Sequence, residues 1–210
     1  MNAPSSERWA QLWREATTHG EPISEYRELV WLYSQSQRHY HNLRHISECL
    51  IEFDSARHVA HDPVAVELAI WFHDAVYKIR AQDNEERSAE LAKQRIFESG
   101  GDANLCESVS ALILATKTHE PALHPDAPLI VDVDLSILGQ SAERFQEYET
   151  QIRREYKWVP KALFAAKRVE ILERFLARQR IYTTDHFFTK YEQPARTNLL
   201  ASVRKLKPAS

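Results

Sequence analysis

Ten histidines are spread unevenly along the 210-residue chain, and a few stand where a metal ion would want them. Three fall in Arg38-His39-Tyr40-His41-Asn42-Leu43-Arg44-His45, one in Trp71-Phe72-His73-Asp74, and one closes Ala115-Thr116-Lys117-Thr118-His119. Two acids follow in Val131-Asp132-Val133-Asp134-Leu135. Imidazole and carboxylate together suit a divalent ion of borderline or hard character, such as zinc, manganese, iron, cobalt or magnesium. The physical case rests on His73-Asp74. The pair follows Leu68-Ala69-Ile70-Trp71-Phe72, an apolar run, so at least one of the two should be partly buried. A buried carboxylate without a partner is costly, and an ion shared with histidines from other elements would satisfy both groups. His45 is too far upstream to share that helix, so the site should pin several helices together. The dipeptide alone would be unremarkable; the ordered set is what points to a metal.

The elements that must hold these residues read as helices almost throughout. Only four glycines occur, at 20, 100, 101 and 139, which disfavours a fold rich in tight β-turns. Trp9, Leu12, Trp13 and Ala16 mark a first helix, and Tyr26, Leu29, Val30 and Tyr33 a second after Pro22. Asn42 can cap a third, with Leu43, Ile46, Leu50 and Phe53 facing inward. Asp62-Pro63 reads as a cap and first residue. Asp83 with Glu86 resembles a capping box, and Gly100-Gly101 ends the helix it opens. Asp102 starts another, and a Pro-containing loop over 120–128 follows. Residues 130–138 alternate like a strand but are isolated, and are taken as a short helix. Ser141 and Pro160 open two more, and Leu199, Leu200, Val203 and Leu206 mark a last amphipathic segment, with 207–210 frayed. Trp31, Trp71 and the tyrosine-rich C-terminal half are expected in the core. The expectation is an all-α chain with one domain over 1–210: a metal-site core at 38–138, with helical extensions at 1–37 and 139–210.

Net charge is −3, which gives no footing for nucleic acid or an anionic membrane surface. The longest apolar run is too short to cross a bilayer, and residues 1–16 have no apolar core of a secretory leader. Two cysteines, Cys49 and Cys106, make no disulfide framework, and Cys49 reads as a small buried hydrophobe. The expected setting is a reducing cytoplasm. The oligomeric state stays open, a homo-oligomer included.

His45, His73-Asp74 and a later aspartate resemble the H…HD…D signature of the HD-domain superfamily of metal-dependent phosphohydrolases, over roughly residues 38–138. Tyr40-His41-Asn42-Leu43-Arg44-His45 is similar to the Y-H-N-x-x-H motif of cyclic-nucleotide phosphodiesterases. Leu114-Ala115-Thr116 with His119, and Asp134-Leu135-Ser136, echo the same group. Phe72 to Tyr77 and Asp83 to Ala89 more closely resemble a small bacterial branch with F-H-D-x-V-Y and D-N-E-x-x-S-A, whose members carry no assigned substrate.

The resemblance implies an HD-type helical bundle in which His45, His73, Asp74 and Asp134 ligate one metal. Asp74 would bridge to a second ion if there is one, and His119 would serve that second ion or the phosphate. His41 is the implied general acid for the leaving alkoxide. The reaction implied is attack of metal-bound hydroxide on a small phosphorylated metabolite, with a nucleotide as the first guess, by a phosphomonoesterase or phosphodiesterase. Arg38 and Lys117 flank the motifs as candidate phosphate contacts, and Glu85 and Asp132 are candidates to support a ligand or a metal water. Two other classes compete: a di-iron oxygenase on the same scaffold, which needs more histidine ligands, and a non-catalytic metal- or nucleotide-binding module.

Overall fold

The computed structural model describes residues 4–17, 19–119 and 123–207, and among them every regular element is helical. Residues 120–122 of the expected loop and 208–210 of the expected frayed end lie outside that set. The chain forms two compact units, one up to Val133 and one from Asp134 onward.

The first unit carries α1 (Ser6–Ala16), α2 (Pro22–Tyr33), α3 (Leu43–Ala56), α4 (Pro63–Phe72), α5 (Asn84–Glu98), α6 (Ala103–Thr118) and α7 (Ala127–Asp134), whose last residue opens the second unit. Its centre is α4. Every residue from Ala65 to Phe72 is buried, as a helix apolar on all sides requires. It packs against α1, α3, α5 and α6. Trp9 stacks on Trp13 with ring centroids 5.0 Å apart and meets Trp71 edge-on at 5.1 Å. The charged exception on α4 is Glu67, whose carboxylate accepts from Arg8 Nε at 2.7 Å and pairs with Arg57. The start of α4 follows from its first residues. Asp62 accepts from Val64 N and Ala65 N, and Pro63 occupies the position where a missing N–H costs nothing. Asn42 likewise caps α3 by accepting from Arg44 N at 2.9 Å.

Several local expectations are corrected. Asp83 precedes α5 but forms no side-chain cap; its carboxylate accepts from Arg87 Nε at 2.8 Å, and Glu86 is taken by Lys117. Asn84 instead closes the preceding loop, bonding both the N–H and the carbonyl of Lys78. Trp31 is 66 % exposed on α2 rather than in the core. The loop after α6 ends earlier than expected, because Ala127 and Pro128 already belong to α7. That segment is helical, and a short 3-10 turn over Leu135–Gly139 continues it.

The second unit carries that turn, then α8 (Ala142–Glu155), α9 (Lys161–Ala177) and α10 (Asp185–Leu206). The last helix starts far upstream of the expected segment and runs through Pro194. Phe187, Tyr191, Ala195 and Leu199 recur every four residues and are all buried, so one packed stripe continues across the proline. Glu192, also buried, accepts from Ile181 N, Tyr182 N and Arg196 and ties the α9–α10 connection to this helix.

Candidate metal centre

Two chain segments of the first unit bring the site together. Capping by Asn42 sets the phase of α3 so that His45, in its first turn, is buried with its ring toward the end of α4. The second segment is the end of α4 itself. His73 is the capping residue, its N–H bonding Ala69 O, and Asp74 lies just beyond, so the chain is already leaving the helix. Successive helical positions diverge by about 100°. Both side chains nevertheless meet at the end of the helix, His73 Nε2 lying 3.2 Å from Asp74 Oδ2.

The result is a tight triangle of donor atoms. His45 Nε2 lies 3.1 Å from His73 Nε2 and 3.5 Å from Asp74 Oδ2, and His73 Nε2 lies 3.2 Å from the same oxygen. Ligands held about 2.0–2.1 Å from a tetrahedral ion stand about 3.3 Å apart, so the triangle has the size of one face of a coordination shell. The tautomer also fits. His73 Nδ1 is 2.9 Å from the carbonyl of Ile70, an acceptor only, so Nδ1 carries the proton and Nε2 presents its lone pair to the triangle. A lone pair facing a carboxylate oxygen at this distance is repulsive unless a cation lies between them. With these rings protonated instead, burial would still push the Asp74 carboxyl up, but the charges of His73, His41 and His45 and a hydrogen bond from His73 would outweigh it and hold the group well below the usual carboxylate range. The residues present therefore fit a divalent ion.

The other predicted residues divide. His41 is half-buried just before α3, its ring stacked on Tyr77 at 4.3 Å between centroids and 6.2 Å from that of His45, so it flanks the triangle. Asp134 closes α7 as the first residue of the second unit and is half-buried. Asp132 is fully buried in the same helix, about 200° around its axis from Asp134. His119 caps the end of α6 in a left-handed conformation with φ 51° and is not among the first unit's grouped donors. Glu85 is half-buried in the first turn of α5.

The two candidate phosphate contacts are engaged elsewhere. Arg38 is buried, with Nη1 donating to the carbonyls of His41 (3.0 Å) and Asp74 (2.7 Å) and Nη2 to that of Ala75 (2.7 Å). Its guanidinium also sits over the rings of Tyr33 and Tyr77, at 5.0 and 5.4 Å from their centroids. It is a strut that fixes the ligand-bearing turn rather than a surface cation. Lys117 donates to Gln82 O and pairs with Glu86 at the surface. His124 is half-buried: its Nδ1 accepts from Asp126 N, which leaves Nε2 to donate to Ser108 Oγ at 2.7 Å.

Cys49 is the neighbour that sequence reading passed over. Its Sγ lies 3.6 Å from His45 Nδ1, and the legible signal was its place four residues after His45 on one helix face. Comparison with protein-family models, with curated proteins and with solved structures finds no match to this chain. No helix among the described residues is long and apolar enough to cross a membrane.

Proposed function

We propose that this protein is a metal-dependent phosphohydrolase of the HD-domain type, acting on a small phosphorylated metabolite, with nucleotides the first class to test. One observation carries the reading: His45 Nε2, His73 Nε2 and Asp74 Oδ2 converge at coordination distance, with the His73 tautomer set by Ile70 O. His45, His73 and Asp74 would hold the ion, and the resemblance adds Asp134 as the fourth ligand. A divalent ion bound there supplies a water of lowered pKa and offsets negative charge on phosphoryl oxygens.

The remaining work falls to the chain's own side chains. Arg38 holds the carbonyls of Asp74 and Ala75 and so keeps the ligand-bearing turn in place. Ile70 O orients His73. His41, half-buried and stacked on Tyr77, is not one of the three donors, and in the role the resemblance implies it would give a proton to the departing alkoxide oxygen. With two histidines and one carboxylate in the triangle, the donor set resembles a hydrolytic centre more than the histidine-richer oxygenase arrangement.

The test is a phosphate-release screen across nucleotides and sugar phosphates, after removal of metals and reloading with manganese, zinc, magnesium, iron(II) or cobalt separately. Hydrolysis of at least one substrate class that depends on the added ion is expected. No release by any metal-loaded sample across the panel would contradict the proposal.

A further inference from the structure

Within the second unit a groove of about 670 Å³ runs between α8, the first turns of α9 and the C-terminal half of α10. Its size falls in the range of small-molecule sites. Ala142 and Phe145 of α8, Phe164 and Ala165 of α9, and Ala201 and Leu206 of α10 give it apolar walls. The α9 side is thinly packed: of its 17 residues only Arg168 and Leu172 are buried, and Leu163 is 53 % exposed.

The charges are not evenly placed. Asn198 Nδ2 donates to Leu138 O and Gln140 O, just before α8, and Ser202 Oγ donates to Glu149, so α8 and α10 run in the same sense. One turn beyond the Glu149–Ser202 pair stand Arg153 on α8 and Lys205 on α10. Arg153 Nη2 donates to Val159 O, which brings Lys161, the first residue of α9, to the same end. Arg153 is committed there, donating to Tyr156 O and Val159 O and lying over the Phe164 ring, so Lys161 and Lys205 are the two further cations at this end, and the apolar stretch leads away to Ala142. The lining acid, Glu149, is neutralised by Arg168. Arg153 and Lys205 also complement the C-terminal turns of their helices, but Lys161 stands in the first turn of α9, where a cation is unfavourable for the helix. Neither Lys161 nor Lys205 has an ion-pair partner among the described residues.

We propose that this groove binds a single-chain anionic amphiphile, a long-chain carboxylate. Its head lies beside Lys161 and Lys205 and its chain runs along Phe145 toward Ala142. From Arg153 to Ala142 the wall extends about 16 Å, enough for a chain of about twelve methylenes. Its lining includes none of the metal centre's donor residues.

Calorimetric titration of the full chain with dodecanoate below its micellar range, alongside dodecanol and dodecyltrimethylammonium, tests it. One dodecanoate per chain is expected, more tightly held than either comparator, with affinity falling about fourfold for each methylene removed. Ala201→Trp fills the groove from an exposed position and should abolish binding; Lys161→Glu should weaken it at least tenfold. Circular dichroism of both variants should match the parent. Failure of dodecanoate to bind, undiminished binding by Ala201→Trp, or equal binding of the cationic amphiphile would overturn the proposal. So would a self-associating parent that binds no dodecanoate and becomes monomeric as Ala201→Trp, since the face would then be an interface between copies.

Discussion

Arg38 Nη1 donates to the main-chain carbonyl of Asp74 at 2.7 Å, joining the segment before α3 to the turn that ends α4. The same guanidinium bonds His41 O and Ala75 O and lies over two tyrosine rings, so one side chain fixes the relative placement of both ligand-bearing segments. Arg38→Ala leaves these carbonyls without that donor and is expected to cost about 3 kcal/mol of stability and to weaken metal binding. Arg38→Lys should recover only part of either, because an ammonium cannot fork to three carbonyls in one plane. Urea denaturation and metal titration of both variants check this; an Arg38→Ala protein within about 0.5 kcal/mol of the parent would contradict the strut.

His41 sits beside the triangle without belonging to it. His41→Ala should retain the ion and lose turnover by roughly 10²–10⁴-fold on alkyl phosphates, the scale of a lost general acid. Aryl phosphates, whose leaving groups need no proton, should lose much less. Rates on the two substrate types, compared at equal metal occupancy, decide the role; equal losses would remove it.

Asp132 and Asp134 are separated by the geometry of α7. The helix puts them on nearly opposite sides, with Asp132 fully buried. Asp134→Ala is expected to lose the tightly held ion. Asp132→Ala should keep it, with activity changed modestly, and should melt at a lower temperature because a buried polar group is lost together with its contacts. Metal titration with a parallel thermal melt would expose a wrong assignment if Asp132→Ala were the variant that bound no metal.

Where local chemistry dominates, the sequence was legible. Asp62-Pro63 begins α4 and Gly100 ends α5, because a cap, a first-turn proline and a positive-φ glycine act within a few residues. The all-helical architecture and the grouping of His45 with His73 and Asp74 followed from periodicity and residue type. What resisted reading depends on distant partners. Asp83 looked like a cap but is drawn to Arg87, and Lys117 holds Glu86 from another helix. The last amphipathic segment was marked only by Leu199 to Leu206, yet the buried stripe from Phe187 to Leu199 extends α10 upstream through Pro194. Arg38 read as a candidate phosphate contact, and only the fold shows three carbonyls converging on it.

On the proposed function, the triangle of His45, His73 and Asp74 binds the ion that hydrolysis requires. Its most direct test is metal content and phosphate release measured together on the parent and His73→Ala, each stripped with chelator and then reloaded. The parent is expected to take up the ion tightly and to regain activity. His73→Ala should take up none tightly, stay inactive and be less stable, because the half-buried Asp74 is left without the ion that satisfies it. Full metal occupancy and parental phosphate release in His73→Ala would contradict it.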